Sequence, residues 1–591
     1  MSEKTKEKKM VNIKINGISF AVEEGMTILA AARQANIHIP TLCYLKEINE
    51  IGACRICVVE VKGARTLVTA CVYPVSEGME IFTNTPRVLN ARRDTLKLIL
   101  SDHDKECLSC VRSGSCELQR LCQEYNVDNA HEYEGDMNVF EPDCSAPHMV
   151  RDNNKCILCR RCVAACEQFQ SVGVIGPNNR GFATRIGCAY DLPLGSTACV
   201  DCGQCIAVCP VGALYEKDDT EAVFEALADP EKTVFVQTAP AVRAALGEAF
   251  DYPVGTDTEG KMVAALRRLG FDGVYDTNFG ADLTILEEAH EFLDRFKNGG
   301  KLPLITSCSP GWVKFCEHYF PDLTENLSSC KSPHQMQGAL MKSYLAEKKG
   351  IDAKDIVTVS VMPCTAKKFE RQRDDEAGTG YPDVDHVITT RELARMIRRA
   401  GIQFRELPDE AFDDPMGEYS GGGVIFGVSG GVMEAALRTA VYWITNDDTN
   451  TPVDFNDVRG MQGIKDATYT VGDVTVRVAV ASGLSNARKL LNDVKSGKAQ
   501  YDFIEIMGCP GGCINGGGQP QVPAEVRNFT DYREKRAKAL YTIDSAAHVR
   551  KSHQNESLKK LYDEYLGEIG GEKAHHLLHT TYVKRGLYSE V

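Results

Sequence analysis

No run of about 18 consecutive apolar residues occurs anywhere in the chain, so no segment is expected to cross a bilayer as a helix. Nor does the amino terminus, MSEKTKEKKM, lead into the apolar stretch an export signal needs, which points to a cytoplasmic location. Basic residues are outnumbered, 67 Lys and Arg against 82 Asp and Glu, and a formal charge of -15 argues against phosphate-backbone recognition and hence nucleic-acid binding. A GxGxxG fingerprint between a strand and a helix is also missing, so use of a nicotinamide would need another chain. Cysteine is absent from 210 to 307, which marks a domain boundary in a chain that otherwise holds 24 cysteines. At 591 residues, with 43% apolar and 25% charged content, the chain is neither disordered nor fibrous and has room for roughly three to six domains. In a reducing compartment, so many thiols imply metal or redox chemistry rather than disulfides.

Eighteen of the cysteines lie between Cys43 and Cys209. The segment VNIKINGISFAV alternates around an Asn16-Gly17 turn, predicting a hairpin, and Thr27 is a plausible cap for a helix over ILAAARQ. Cys43, Cys54, Cys57 and Cys71 follow. A C-x-x-C flanked by two distant cysteines in this context resembles a 2Fe-2S ferredoxin, with structural zinc as the alternative. The small and polar residues Gly52, Ala53 and Arg55 favour the cluster by letting backbone N–H groups approach sulfur. Next, SDHDKECLSCVRSGSC supplies His103, Cys107, Cys110 and Cys116, a set open to either zinc or 4Fe-4S, and the surrounding cysteines tip it toward iron–sulfur.

The run C-x-x-C-x-x-C-x-x-x-C occurs twice, at Cys156, Cys159, Cys162 and Cys166 and at Cys199, Cys202, Cys205 and Cys209, with Pro210 after the second. In two-cluster ferredoxins the fourth cysteine of each run ligates the other cluster. One 4Fe-4S cube is therefore expected on Cys156, Cys159, Cys162 and Cys209, and another on Cys199, Cys202, Cys205 and Cys166.

From about Thr233 short apolar runs alternate with helical segments: KTVFVQT, KLPLITSC, DIVTVSVMPC, GGGVIFGV and YDFIEIMGC are expected as strands whose carboxyl ends carry the remaining thiols. Cys308, Cys364, Cys509 and Cys513 would converge there, and Gly511, Gly512, Gly516, Gly517 and Gly518 permit close backbone approach to an anionic cofactor, although such a run is also an ordinary flexible turn. On the helix DLTILEEAHEFLDRF, residues Glu288, Glu291 and Arg295 share one face, usually just the solvated one.

The segments TSCSPGW, MPCTAKKFE and EIMGCPGGCINGGGQP resemble, in order, the signature motifs of FeFe hydrogenases, and the resemblance runs from Val11 to the carboxy terminus. It implies reversible interconversion of protons plus electrons with dihydrogen at an H-cluster, a 4Fe-4S cube joined to a diiron unit carrying CO, cyanide and a bridging dithiolate. Cys364, Cys509 and Cys513 match cube ligands, Cys513 being the bridge to the diiron unit; Lys367 matches the lysine that pairs with a cyanide; Met362, Met507, Pro240 and Phe426 match pocket positions. The usual motif carries adjacent cysteines, a proton relay and a cube ligand, where this chain has Cys308 and Ser309. Ungapped counting places Cys308 at the relay and Ser309 at the ligand position, but because a cube prefers four thiolates Cys308 is expected to bind it, leaving Ser309 or a water as relay. Glu288, Ser328, Glu291 and Arg295 match the family's proton route, where partial burial would bring the carboxyls toward working pH.

The expected architecture is multidomain α+β and α/β: a 2Fe-2S ferredoxin-like domain (10–88), a His/Cys3 4Fe-4S module (89–145), a two-4Fe-4S ferredoxin-like domain (146–222), a large α/β H-cluster domain (223–530) and a helical small-subunit-like tail (531–591). That gives one 2Fe-2S cluster, three accessory 4Fe-4S clusters and the H-cluster. The amino-terminal modules resemble those of the iron–sulfur subunit of complex I. They imply partners carrying flavin and NAD(P) and small iron–sulfur subunits in a hetero-oligomer, or ferredoxin, besides maturation proteins for the diiron unit. A non-catalytic sensor or iron–sulfur assembly relative is the alternative. Cys122, Cys144, Cys188, Cys316 and Cys330 are expected as buried small apolar residues, and the adjacent His575 and His576 as tail residues rather than a metal site.

Overall fold

Alternation in the first strand buries Val11, Ile13 and Ile15 on one face, and Asn16 and Gly17 adopt φ of 50° and 85°, the positive pair that a two-residue hairpin needs. The computed structural model describes residues 9–46, 48–128, 131–133, 135–448, 452–472 and 474–588. Met10–Ile15 and Ile18–Glu23 pair antiparallel and join Glu80–Phe82, Val58–Val61 and Val68–Thr69 in one mixed sheet. The hydroxyl of Thr27 caps the helix Ile28–Gln34, accepting from Ala30 N at 3.2 Å.

Helices Pro86–Leu100 and Glu117–Glu124 flank the loop that carries His103 and its three cysteines. Beyond it the internal repeat is visible in the backbone. Leu158 and Arg160 in the first run, and Asp201 and Gly203 in the second, all take φ between 54° and 66°. Each pair of left-handed residues turns the chain around its cysteines and opens a short helix, Arg161–Ala164 or Gln204–Val208. Leu158 N thereby donates to the Cys156 sulfur at 3.5 Å.

Two four-stranded sheets frame the large domain. The first is wholly parallel, ordered Gly273–Asp276, Thr233–Thr238, Ile356–Met362 and His386–Thr389; in the second, Leu304–Ile305, Phe503–Met507 and Val474–Ser482 run parallel and Ile464–Val471 pairs antiparallel at the edge. Strands with both faces covered explain the near-continuous burial of Ile356–Met362 and Phe503–Met507. The helix Thr277–Asn298 passes between the layers, apolar and buried along most of its length.

The expectation of a strand over GGGVIFGV is corrected: Gly421–Ile425 is a helix. Glycine disfavours helix, but Ser420 caps this one by accepting from Gly423 N, and its fully buried turn is held between Thr277–Asn298 and Tyr532–Ala546, so tertiary packing overrides propensity. The tail is helical, as expected, and strapped to the body: Arg536 pairs with Glu248, and Asp544 with Arg438. Among the described residues no helix is long and apolar enough to cross a membrane.

Candidate active site

The carboxyl ends of both sheets open on one cavity with about 730 Å³ of empty volume. Thr238 leads to Pro240, Met362 to Cys364, Ile305 to Cys308 and Ser309, and Met507 to Cys509 and Cys513; all these residues except Thr238 and Ile305, together with Lys367 and Phe426, line the space. The sequence-predicted set of pocket, thiol and lysine residues is thus brought to one place. Burial pushes the thiols of Cys364 and Cys509 upward and that of Cys513 to about 12; Cys364 raises the other two further, and Lys367 offsets part of the rise at Cys364 and Cys513. Uncomplexed, these three would stay protonated.

Cys308 lines the same cavity as that trio. Burial raises its thiol well above the ordinary range, and the acidic groups adding to this are Glu288 first and Cys513 next. Ser309 caps the helix Pro310–Tyr319 with its backbone, while its hydroxyl accepts from Gly508 N at 3.1 Å, beside Cys509.

Lys367 is buried and donates to Glu370 Oε2 at 2.7 Å and to the Cys308 carbonyl at 3.3 Å. Burial works against the Glu370 carboxylate, but Lys367 and His334 outweigh it and hold the group well below the usual carboxylate range. His334, pushed down to about 4 by burial, hydrogen-bonds Glu370 and lines the cavity. Neither His334 nor Glu370 was expected: KSPHQMQG bears no motif, and Glu370 follows Lys367 by only a helical turn.

From the cavity, acidic groups lead outward. Glu288 is 1% exposed; burial, with Glu291 adding, outweighs the neighbouring Ser328 hydroxyl and Ser307 backbone and lifts it to about 8. Ser328 Oγ donates to Glu291 Oε2 at 2.9 Å, and Glu291 pairs with Arg295, which reaches the surface. The shared helix face is therefore buried at Glu288 and half-buried at Glu291 and Arg295 rather than a solvated stripe.

The accessory cysteines also gather. One cavity is lined by Cys156, Cys159, Cys162 and Cys209, a second by Cys166, Cys199, Cys202 and Cys205. Cys54 is the first influence on the Cys43 thiol and Cys57 on the Cys71 thiol, and each pair also feels the other, so the four gather in one place. His103 is buried with Nδ1 unpartnered and its imidazole pushed down to about 4 by burial, the state of a free lone pair, and in the loop that follows it Cys110 acts on the thiols of both Cys107 and Cys116. Asn49, another unforeseen residue, donates to the carbonyls of Cys43 (2.7 Å) and Cys159 (3.0 Å), tying the first module to the first cavity. Arg112 donates to the Cys209 carbonyl at 3.3 Å, so the His103 module meets the same cavity. At the second cavity, Thr365 Oγ1 donates to Asp201 O at 2.8 Å. The first cavity is thus tied to both amino-terminal modules, and the second to the loop that carries Cys364.

Family models match along the whole chain: "2Fe-2S iron-sulfur cluster binding domain" over 8–86, "NADH-ubiquinone oxidoreductase-G iron-sulfur binding region" over 92–131, "4Fe-4S dicluster domain" over 155–213, "Iron only hydrogenase large subunit, C-terminal domain" over 232–517 and "Iron hydrogenase small subunit" over 530–585. The NADP-reducing hydrogenase subunit HndD of Solidesulfovibrio fructosivorans is 50% identical, covering 98% of this chain and 99% of its own length. The chain belongs to the FeFe hydrogenases. Iron hydrogenase 1 of Clostridium pasteurianum is 43% identical over 97% of this chain and all of its own. Among solved structures, the FeFe hydrogenase HydA lacking EFG superposes with a TM-score of 0.56 at 44% identity, covering 62% of this chain and 99% of that one. This FeFe hydrogenase is accordingly an oxidoreductase acting on dihydrogen, built from iron–sulfur modules and a catalytic domain.

One expectation about the spare cysteines changes: Cys144 is exposed. Cys330 is buried in an apolar cluster, as expected, and its thiol also lies 3.9 Å from Glu291 Oε2. His575 and His576 are both exposed.

Proposed function

We propose that the large cavity holds the H-cluster, with Cys364, Cys509 and Cys513 on the cube, Cys513 also meeting the diiron unit, and Ser309 at the cube's fourth corner. The donor set fits: three buried thiols that would otherwise stay protonated meet in a space lined by Met362, Met507, Pro240 and Phe426, and thiolate there requires a strong cation such as iron. In this reading Ser309 rather than the expected Cys308 takes that corner: the Ser309 hydroxyl lies at Gly508 N, next to Cys509, whereas after burial the largest influence on the Cys308 thiol is Glu288. When bound, the group supplies reversible cleavage of dihydrogen into protons and electrons. Lys367, anchored by Glu370, presents a buried ammonium to the anionic ligands of the diiron unit. Cys308 passes protons to and from Glu288, which is protonated near neutrality and so able to give and accept, and Ser328 and Glu291 carry them onward past Arg295.

Electrons follow the other convergence. A 2Fe-2S cluster on Cys43, Cys54, Cys57 and Cys71 and a 4Fe-4S cluster on His103, Cys107, Cys110 and Cys116 feed the cube on Cys156, Cys159, Cys162 and Cys209, then the cube on Cys166, Cys199, Cys202 and Cys205. Two feeding branches suit two partners: a flavin subunit using NAD(P), with small iron–sulfur subunits, and ferredoxin. The relative named as a subunit of an NADP-reducing hydrogenase supports a hetero-oligomer. A cytoplasmic location fits a chain of 24 cysteines with no disulfide among the described residues, and maturation proteins would deliver the diiron unit.

The convergence of Cys364, Cys509 and Cys513 on one cavity carries this reading. Its test is anaerobic production with the maturation proteins, followed by dihydrogen uptake with ferredoxin and, after adding the flavin partner, with NADP⁺. Uptake only with the partner supports the complex; a monomer fully active with ferredoxin alone refutes it.

A further inference from the structure

The tail reaches the proton route by backbone pairing. Lys331 N donates to Leu578 O and Thr580 N to Ser329 O, both at 2.8 Å, which sets Cys330 and His579 opposite one another as antiparallel bridge partners. A His579 ring nitrogen, the Cys330 sulfur and a Glu291 carboxylate oxygen consequently lie within 4.8 Å of one another. One water spans such a gap with two ordinary hydrogen bonds. The imidazole is held on both sides: Nδ1 is 2.7 Å from Ser329 Oγ and Nε2 is 3.3 Å from Glu287 Oε2. Glu287 in turn accepts from the Tyr562 hydroxyl and from Gly570 N. On the outer side the exposed ring of His575 stacks on His579, centroids 4.5 Å apart and planes 10° apart.

Arg295 also contacts Glu291, but a guanidinium does not release its proton in a protein, so it can position the carboxylate without carrying a proton itself. An imidazole can take one and give one near neutrality.

We propose that His579 is the proton-carrying station beyond Glu291, making the tail part of the catalytic proton circuit, with Arg295 a positioning residue. The inference rests on the route through Glu288 and Glu291 proposed above. In the outward step Glu291 gives up its carboxyl proton through a bridging water to one imidazole nitrogen. The imidazolium then releases the proton on its other nitrogen to Glu287 and solvent beside His575. No electrons move, and the inward step is the reverse.

The test uses the full matured chain with the substitutions Glu291→Gln, Arg295→Gln, His579→Phe and His579→Gln. His579→Gln keeps a hydrogen-bonding side chain of similar reach but cannot titrate. Both His579 variants are expected to evolve dihydrogen about tenfold more slowly, with an enlarged solvent isotope effect and partial rescue by added imidazole. Full activity in His579→Gln would assign a merely structural role and overturn the proposal, as would absence of rescue. A readout independent of turnover comes from the unmatured chain with ¹⁵N-labelled histidine: Glu291→Gln should move the His579 ring ¹⁵N resonances at fixed pH, because the group that a bridging water links to the imidazole has changed. Unmoved resonances overturn the coupling. Should matured Glu291→Gln retain full activity, the route itself fails; should it fail to turn over while His579→Phe runs at full rate, only the His579 step is wrong.

Discussion

The side-chain amide of Gln204 donates to the backbone carbonyl of Asn515 at 2.8 Å, fastening the second ferredoxin-like loop to the glycine-rich loop that carries Cys509 and Cys513. The same junction explains Gly517. A Cβ there would sit 2.4 Å from Cys202 O and 2.6 Å from the Gly203 Cα, both backbone atoms that cannot swing away. Gly517→Ala should therefore lower stability by about 1–3 kcal/mol. It should also slow ferredoxin-driven turnover several-fold while leaving the infrared bands of the matured enzyme in place. Unchanged electron delivery in stopped-flow reduction would refute a route through this junction.

Lys367, Glu370 and His334 form a buried charged set whose members depend on one another. Replacing Lys367 with Ala strands the Glu370 carboxylate, with Ser332 and His334 as its remaining partners. Breaking such a pair costs about 3–5 kcal/mol. Denaturant unfolding of the unmatured Lys367→Ala chain should show that loss, and maturation should yield no diiron bands.

Cys308 and Ser309 differ in what each faces, and their substitutions should separate. Cys308→Ser is expected to retain the iron content and the cube's paramagnetic signal while turnover drops by about 10²-fold or more. Loss of the cube signal instead would show that Cys308 is a ligand. Ser309→Cys should keep turnover and alter the cube signal.

Glu288 has a raised folded-state pKa, near 8 against an ordinary 4.5. Between those values the unfolded chain has released a proton that the folded chain still holds, so the folded state loses stability as pH rises from about 4.5 to 8. Glu288→Gln removes this dependence. The unmatured variant should gain on the parent chain by up to roughly 4 kcal/mol at pH 8 and little at pH 5 in paired denaturation curves.

Legibility from sequence followed the range of the physics. The two C-x-x-C-x-x-C-x-x-x-C runs were readable because their spacing encodes local turns, now seen as left-handed Leu158, Arg160, Asp201 and Gly203 at matching positions. Strand ends bearing Cys308, Cys364 and Cys509 were readable because thiols and glycines interrupt short apolar runs. The helix Gly421–Ile425 was not, since its conformation is imposed by helices distant in sequence. Asn49, His334 and His579 were hidden for a related reason: each acts through a partner brought near only by folding, 250 residues away in the case of Ser329 and His579.

Infrared spectroscopy of the chain matured anaerobically, beside Cys513→Ser treated identically, tests the central claim most directly. The account predicts CO and cyanide stretching bands with dihydrogen turnover in the parent chain and neither in the variant. Bands of equal intensity in both, or turnover in the parent without any such bands, would contradict it.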